Sequence, residues 1–295
     1  MAIDLAAKEE ATLVIATDPD GDRVGSAVRL EDGSYEVLTG NQIGVLLMDY
    51  ILSQKDEETE LDDSFFCVST IVSSRLGKVI CEHYGVDYYE TLTGFKFIAE
   101  VIEEQDEKGD DTFLFGYEES YGYLAGREVR DKDAVVTCML YCEMAAVARS
   151  QNKTVKDLLD ELYDKYGFGA EKTVSIVLEG QSGSKKIQGV LDTLRQHHEL
   201  EFPGFETEAL RDYKTLTRYD LETGKTTPID SSESNVLLYE LNGLDWCCVR
   251  PSGTEPKLKI YCGCYGEDHD EVQARKDKLS DSFVNTIQQL LDDMD

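Results

Sequence analysis

The sequence has no apolar run near the roughly 20 residues that a membrane-spanning helix needs, and its first residues, "MAIDLAAKEE", do not form a secretory signal peptide. Basic residues are scarce: 29 Lys and Arg stand against 60 Asp and Glu, for a formal net charge of −31. This charge excludes nucleic acid and anionic membrane surfaces as partners, because both are negative themselves. In the absence of a secretory signal, the chain is predicted to be cytoplasmic.

The eight cysteines lack the Cys-x-x-Cys pairs of a structural zinc site. They stand four apart in a helical pattern at Cys138 and Cys142, and they alternate along a predicted strand at Cys262 and Cys264. Because no secretory signal precedes them, they are predicted to be reduced thiols, most of them in the core.

The 295 residues, of which 41% are apolar, are enough for two or three domains. Strands alternate with helices over the first part of the chain, which is typical of an α/β protein. "TLVIAT" is predicted to be a buried strand, a helix to begin at Thr39 or Asn41, and the acidic run 54–63 to be a linker. Clustered strands and a closing amphipathic helix in the last third favour a separate α+β domain.

The stretch "TDPDGDRVG", residues 17–25 and here called the aspartate loop, places Asp18, Asp20 and Asp22 at alternate positions after an apolar strand. Such a set is unfavourable unless a cation lies among the carboxylates. Oxygen ligands suit a hard divalent ion, Mg²⁺ before Ca²⁺. The proline and glycine between the aspartates bend the backbone so that the three side chains can converge on one point.

Three other interpretations of the aspartate loop were compared. An EF-hand is excluded, because its sixth and twelfth positions would hold Arg23 and Arg29 instead of glycine and glutamate. A phosphatase of haloacid-dehalogenase type, with Asp18 as the nucleophile, usually has Thr or Val in place of Asp22. A solvated acidic turn is the remaining alternative.

A second motif, "GYEESYGY" at residues 116–123, is here called the glutamate loop and follows the predicted strand "TFLF". Loops at the carboxyl ends of strands bind ligands in open α/β sheets. Glu118, Glu119 and Ser120 offer acceptors and a hydroxyl between tyrosines, a combination that suits a polyhydroxylated ligand such as a sugar. An exposed acidic loop without a ligand is the alternative.

A third motif, "RPSGTEPK" at residues 250–257, is here called the arginine loop. Arg250 can hold a phosphate through two hydrogen bonds, Ser252 and Thr254 can donate hydroxyls, and Gly253 lets backbone N–H groups approach. A phosphate site is the functional interpretation, and an ordinary turn is the alternative.

These three motifs, in this order, resemble the metal-, sugar- and phosphate-binding loops of the α-D-phosphohexomutase superfamily, which includes phosphoglucomutases and phosphomannomutases. The resemblance covers the whole chain and implies mixed-sheet α/β domains followed by a C-terminal α+β domain like the TATA-binding protein. It implies that residues 1–56 end the family's second domain, 57–170 form its third and 171–295 its fourth.

The resemblance also implies a reaction, phosphoryl transfer between the 1- and 6-positions of a hexose phosphate through a bisphosphate. Asp18, Asp20 and Asp22 would bind Mg²⁺, whose remaining ligand is a phosphoserine oxygen. The family's Ser-His-Asn loop is absent from the sequence. We therefore expect a fragment that is inactive without an N-terminal half carrying the catalytic serine.

Further roles follow from the same resemblance. Arg23 would neutralise the transferring group, and Lys132 would act as an acid/base or as an electrostatic partner. The predicted substrate-binding residues are Thr93, Gly94, Lys96, Glu118 and Ser120 for the sugar, and Arg250, Ser252, Gly253 and Thr254 for the phosphate. Many relatives have a histidine where this chain has Gly122. A phosphatase using Asp18 and a non-catalytic sugar-phosphate sensor remain the alternatives.

Overall fold

The structure is a computed structural model that describes residues 1–109, 112–178, 180–196, 200–253 and 255–294. The chain divides into two compact units, Met1–Gly167 and Phe168–Asp295. The first is a mixed α/β unit and the second is built on an antiparallel sheet, so the predicted fold class is confirmed. The finer division into 1–56, 57–170 and 171–295 stays a prediction.

The first unit begins with a short helix and a three-stranded antiparallel sheet in the order β1-β2-β3. Its elements are α1 (Ala2–Lys8), β1 (Leu13–Thr17), β2 (Val24–Arg29) and β3 (Tyr35–Leu38). β1 was predicted to be buried, but its residues are half-buried or exposed. The reason is that β1 is an edge strand of a small sheet, hydrogen-bonded to β2.

A four-stranded sheet in the order β5-β4-β6-β7 forms the centre of the first unit. Its strands are β4 (Phe65–Thr70), β5 (Asp87–Thr91), β6 (Thr112–Glu118) and β7 (Gly122–Ala125). β4 is parallel to β5 and β6, and β7 is antiparallel to β6. The carboxyl ends of β4, β5 and β6 therefore lie at one edge of the sheet, where ligands bind in folds of this kind.

Five helices accompany this sheet: α2 (Gly40–Glu58), α3 (Leu76–Tyr84), α4 (Phe95–Lys108), α5 (Ala134–Ser150) and α6 (Val155–Tyr166). Thr39 caps α2 through a reciprocal pair of hydrogen bonds with Gln42, as its position predicted. The acidic run predicted as a linker is helical up to Glu58. No helix among the described residues is long and apolar enough to cross a membrane.

The core beneath α4 shows why this segment is helical. Phe95, Ile98 and Ile102, spaced three and four apart, are buried against the strand residues Phe66 and Val68. Burying each such side chain contributes about 1.5–3 kcal/mol. This packing fixes the start of α4 beside the carboxyl end of β5, and so it positions the loop that precedes the helix.

The second unit is a seven-stranded antiparallel sheet in the order β11-β10-β9-β12-β13-β14-β8. Its elements are β8 (Phe168–Val177), α7 (Gly180–Gln196), β9 (Thr207–Asp212), β10 (Thr217–Asp220), β11 (Thr226–Pro228), β12 (Leu237–Leu241), β13 (Trp246–Pro251), β14 (Lys257–Gly266) and α8 (His269–Asp292). The hairpin of β13 and β14 carries the arginine loop at its tip.

Candidate functional site

The aspartate loop joins β1 to β2 and is folded around Asp18. The Oδ1 atom of Asp18 accepts hydrogen bonds from the backbone N–H groups of Asp22 and Arg23, each at 3.2 Å. Desolvation acts to raise the pKa of Asp18, but these donors outweigh it and the pKa lies below its ordinary value. Gly21, with a φ of 71°, supplies the left-handed backbone of the turn. Asp18 is therefore a carboxylate at neutral pH.

The other two aspartates have different surroundings. Asp20 is exposed, whereas Asp22 is half-buried with its Oδ2 atom 3.3 Å from the Nζ atom of Lys132. The described part of the chain contains no ready group of three or more carboxylate, histidine or cysteine side chains that could hold a metal. Two of the three aspartates therefore already have partners: Asp18 accepts the loop's N–H groups, and Asp22 pairs with Lys132.

One atom of the aspartate loop nevertheless fits a cation. Among the described residues, the Oδ1 atom of Asp22 is buried without a hydrogen-bond partner. A buried carboxylate oxygen that lacks a partner is unfavourable, and a metal ion or a donor from another group would satisfy it.

The aspartate loop is joined directly to the glutamate loop, although about 100 residues separate them in the sequence. The backbone N–H of Val24 donates to the carbonyl oxygen of Tyr121 at 3.1 Å, and Arg23 forms a β-bridge with Gly122. Tyr121 has a φ of 69°, a left-handed conformation that non-glycine residues seldom adopt. The structure therefore places the predicted metal and sugar loops side by side in one unit.

The glutamate loop is tied to the ends of two neighbouring strands. Glu118, which is 6% exposed, accepts the backbone N–H of Gly94 at its Oε1 atom, 2.6 Å away. The hydroxyl of Thr70, at the end of β4, donates to the Oε2 atom of Glu119 at 3.3 Å. Ser120 follows and is half-buried. The two carboxylates are thus held in place at the carboxyl edge of the sheet.

The segment "TLTGFK", residues 91–96, lies beside the glutamate loop. The contact is the hydrogen bond from the N–H of Gly94, the residue that precedes α4, to Glu118. Thr93 and Gly94 are half-buried, whereas Lys96 is exposed. The Nζ atom of Lys96 lies 4.5 Å from the centre of the Phe97 ring, a cation–π distance. The structure therefore brings Gly94 to Glu118, and it leaves Lys96 at the surface of the unit.

Lys132 lies between the aspartate loop and α4. Its Nζ atom is 2.8 Å from Asp131 Oδ1 and 3.3 Å from Asp22 Oδ2, and it is 5.4 Å from the centre of the Phe95 ring. Partial burial acts to lower the pKa of Lys132, but Asp131 and Asp22 raise it by more, so the pKa lies above its ordinary value. At neutral pH this side chain is therefore an ammonium donor and not a base.

The arginine loop belongs to the second unit and lies at the tip of the hairpin of β13 and β14. The Nη2 atom of Arg250 donates to the hydroxyl of Tyr261 at 2.9 Å, and the central carbon of the guanidinium lies 5.6 Å from the centre of that ring. Its Nε atom is buried without a hydrogen-bond partner among the described residues. Arg250 is therefore supported from one side and retains a donor for an anion.

The rest of the arginine loop is a tight turn. The backbone N–H of Ser252 donates to the carbonyl oxygen of Lys257 at 2.7 Å, and Gly253 is exposed. Thr254, the fourth predicted phosphate ligand, lies outside the described residues. These contacts are those of an ordinary turn, and they leave the backbone of Gly253 exposed at the position predicted for the phosphate.

The sequence patterns did not identify two residues that shape the site of the first unit, Thr70 and Asp131. Thr70 orients Glu119, and its hydroxyl is itself 2.9 Å from that of Ser73. Asp131 holds the ammonium of Lys132. The only sequence signal for Thr70 was its position at the end of a predicted strand, and Asp131 had none beyond its proximity to Lys132 in the chain.

Comparison with known proteins gave consistent matches. A family model described as phosphoglucomutase/phosphomannomutase, alpha/beta/alpha domain III, matches residues 39–166. The phosphoglucomutase of Staphylococcus aureus (strain MRSA252) is 39% identical over 271 residues, which are 92% of this chain and 48% of that protein. The chain thus spans about half the length of the curated relatives that it matches.

Two solved structures share the fold. The phosphoglucomutase pp63/parafusin from Paramecium aligns with a TM-score of 0.64 at 16% identity, over 95% of this chain and 45% of that one. The N-acetylphosphoglucosamine mutase of Aspergillus fumigatus, in complex with GlcNAc-6P and magnesium, aligns with a TM-score of 0.50 at 12% identity, over 96% and 56%. At these identities the similarity establishes the fold.

Proposed function

Because this chain belongs to the α-D-phosphohexomutase superfamily, we propose that it supplies the metal, sugar and phosphate loops of a phosphosugar mutase of phosphoglucomutase/phosphomannomutase type. Such an enzyme is an isomerase that moves a phosphoryl group between the 1- and 6-positions of a hexose phosphate. The proposed substrate class is a hexose phosphate. The choice between glucose and mannose would depend on hydroxyl contacts within the glutamate loop.

The observation that supports this proposal most directly is that the aspartate and glutamate loops contact each other. The hydrogen bond from Val24 to Tyr121 and the ion pair between Asp22 and Lys132 place carboxylates, an ammonium and Ser120 within one small region. Phosphoryl transfer needs this combination of charge stabilisation and substrate positioning. A solvated acidic turn is expected to face water, whereas this loop is hydrogen-bonded to a second polar loop.

We assign a Mg²⁺ site to Asp18, Asp20 and Asp22, supported by the Oδ1 atom of Asp22, which has no hydrogen-bond partner among the described residues. When bound, the ion would withdraw charge from the phosphoryl group. The magnesium named in the Aspergillus fumigatus complex supports the choice of metal.

Lys132 and Arg23 would stabilise the negative charge of the transferring group. The raised pKa of Lys132 keeps its ammonium charged, so we assign it as an electrostatic partner in preference to a general base. Arg23 lies in the loop itself and is exposed, so its guanidinium is free to approach a ligand.

We propose that Glu118 and Ser120 bind the sugar hydroxyls, with Thr93, Gly94 and Lys96 beside them. The Oε1 atom of Glu118 accepts the N–H of Gly94, and this contact holds the carboxylate in the loop where the sugar hydroxyls would bind. Arg250, Ser252, Gly253 and Thr254 would hold the phosphate that is not being transferred. The Nε atom of Arg250, which has no hydrogen-bond partner in the part of the chain that the structure describes, supports this role.

The proposed reaction requires a phosphoserine from a further polypeptide segment. The bond from phosphorus to the serine oxygen breaks as a sugar hydroxyl oxygen forms its own bond to phosphorus, and the hydroxyl proton ends on the released serine oxygen. The bisphosphate then turns around, and its other phosphoryl group returns to the serine. We place this chemistry in the cytoplasm, where the eight free cysteines would stay reduced.

Replacing Glu118 by Gln tests the sugar loop. The amide retains the size and the contact with Gly94 but loses the charge, so affinity for glucose 1-phosphate should fall about tenfold. Affinity for inorganic phosphate should not change, because it has no sugar hydroxyls. Calorimetric titrations of both ligands measure this, with the exposed Glu100→Gln as the charge-matched control. An equal loss for both ligands would contradict a sugar role.

Magnesium binding should depend on the aspartate loop. We expect weak binding in the wild type, because the phosphoserine oxygen is not supplied, and its loss in Asp20→Asn. Asp20 is the exposed member of the set, so this change should leave the melting temperature unaltered. The exposed Asp63→Asn removes the same charge elsewhere and should bind Mg²⁺ as the wild type does. Unchanged calorimetric affinity in Asp20→Asn would assign the metal to other groups.

A further inference from the structure

Gly122 occupies a position where glycine is needed for space and not for backbone conformation. It begins β7 and is absent from the residues with positive φ, so an L-residue could adopt its backbone angles. A Cβ atom on Gly122, however, would lie 2.3 Å from the Cδ and 2.8 Å from the Cγ of Lys132. Such contacts are too short for packed carbon atoms. The stem of Lys132 therefore fills the volume that a side chain at 122 would take.

This arrangement determines where the ammonium of Lys132 lies. With its stem across Gly122, the Lys132 side chain is 12% exposed and its Nζ reaches Asp22 at 3.3 Å, in the aspartate loop. Asp131 binds the same Nζ at 2.8 Å from the side of its own segment. Asp131 is adjacent in sequence and can follow Lys132 if it moves, whereas Asp22 belongs to another loop. The contact with Asp22 is the one that depends on the path over Gly122.

We propose that Gly122 is a positioning residue, whose missing side chain opens the path by which Lys132 brings its ammonium to Asp22 beside the predicted metal ligands. The relevance of this position to phosphoryl transfer rests on the proposed function, but the positioning itself does not. A side chain at 122 expels the stem of Lys132, separates Nζ from Asp22 and exposes the amine to solvent.

Amine labelling tests the position of Lys132 without any assay of activity. The purified chain is treated with an acetylating N-hydroxysuccinimide ester, and the modification of each lysine is followed by mass spectrometry. We expect Lys132 to react about fivefold faster in Gly122→Ala than in the wild type, because its ion pair with Asp22 is lost and the amine becomes more exposed. Lys78, which is half-exposed on α3, serves as the internal reference. The control variant is Gly25→Ala, whose added Cβ meets no atom within 4 Å.

A double-mutant cycle, read as melting temperatures, tests whether the effect of a side chain at 122 arises from its overlap with Lys132. Lys132→Ala removes the two carbon atoms that a Cβ at 122 would overlap and leaves only Glu118 Oε2, at an ordinary contact distance of 3.6 Å. Gly122→Ala should therefore lower the melting temperature in the wild type and leave it unchanged in the Lys132→Ala background. If Gly122→Ala does not fold, the double variant is expected to fold.

Two results would overturn the proposal. One is an equal fall in melting temperature in both backgrounds, which would mean that the β6–β7 hairpin itself requires glycine. The other is an unchanged labelling rate of Lys132 in folded Gly122→Ala. Failure of the metal or sugar assignment would appear instead in the Mg²⁺ and glucose 1-phosphate titrations, with the labelling result unaffected.

Discussion

Conversion of glucose 1-phosphate to glucose 6-phosphate should be absent from this chain alone and should appear when the missing part of a relative is supplied. The partner is the portion of the Staphylococcus aureus phosphoglucomutase that this chain does not span. With Mg²⁺ and a hexose bisphosphate primer, turnover should rise at least about a thousandfold, because loss of a catalytic nucleophile typically costs more than that. A coupled assay for glucose 6-phosphate measures the difference.

Two variants show whether the restored activity uses the proposed machinery. Replacing the catalytic serine of the added portion by alanine should abolish turnover, and Lys132→Met in this chain should reduce it strongly, since the ammonium near Asp22 is removed. Turnover by this chain alone that survives rigorous purification would refute the requirement for a serine. Beryllofluoride labelling of Asp18 would support the phosphatase alternative instead.

Arg250→Ala should weaken the binding of glucose 1-phosphate about ten- to a hundredfold, because a charge-assisted bidentate contact is worth about 1.5–3 kcal/mol. Affinity for inorganic phosphate should fall in parallel, whereas Glu118→Gln should leave that affinity unchanged. Arg250→Lys should recover only part of the loss, since an ammonium cannot reproduce the planar fork. Calorimetric titration of both ligands into the three proteins measures these effects.

The contacts of Arg250 supply the controls for this experiment. Tyr261→Phe removes the hydroxyl that holds the guanidinium and leaves the ring, so it should weaken phosphate binding only a few-fold by loosening Arg250. Lys225→Ala removes one positive charge between β10 and β11, at the far side of the same sheet, and should not affect binding.

Melting temperatures decide between a ligand role and a structural role for Arg250. Loss of one hydrogen bond and one ring contact should lower the melting temperature by a few degrees, at about 2–4 °C per kcal/mol for a protein of this size. A much larger fall in Arg250→Ala with unchanged affinity would mean that the arginine only supports the hairpin. The arginine loop would then be an ordinary turn.

Local patterns in the sequence were sufficient for most of the elements. The cap at Thr39, the helical spacing of Phe95, Ile98 and Ile102 and the long closing helix all depend on residues within a few positions of one another. The strands β9 to β11 were not predicted, because they are short and carry polar residues. β11 consists of three exposed residues, and pairing with β10 makes it a strand.

The sequence by itself therefore determined the succession of an α/β and an α+β unit and the chemistry of the three loops, because motif composition and periodicity are local properties. Only the tertiary structure decided which loops meet. The pairing of Asp22 with Lys132, the support of Glu119 by Thr70 and the volume left by Gly122 all follow from the sheet order β5-β4-β6-β7 and the hydrogen bond of β2 to the glutamate loop. These contacts join residues 49 to 110 positions apart or depend on packing, and no local pattern encodes them.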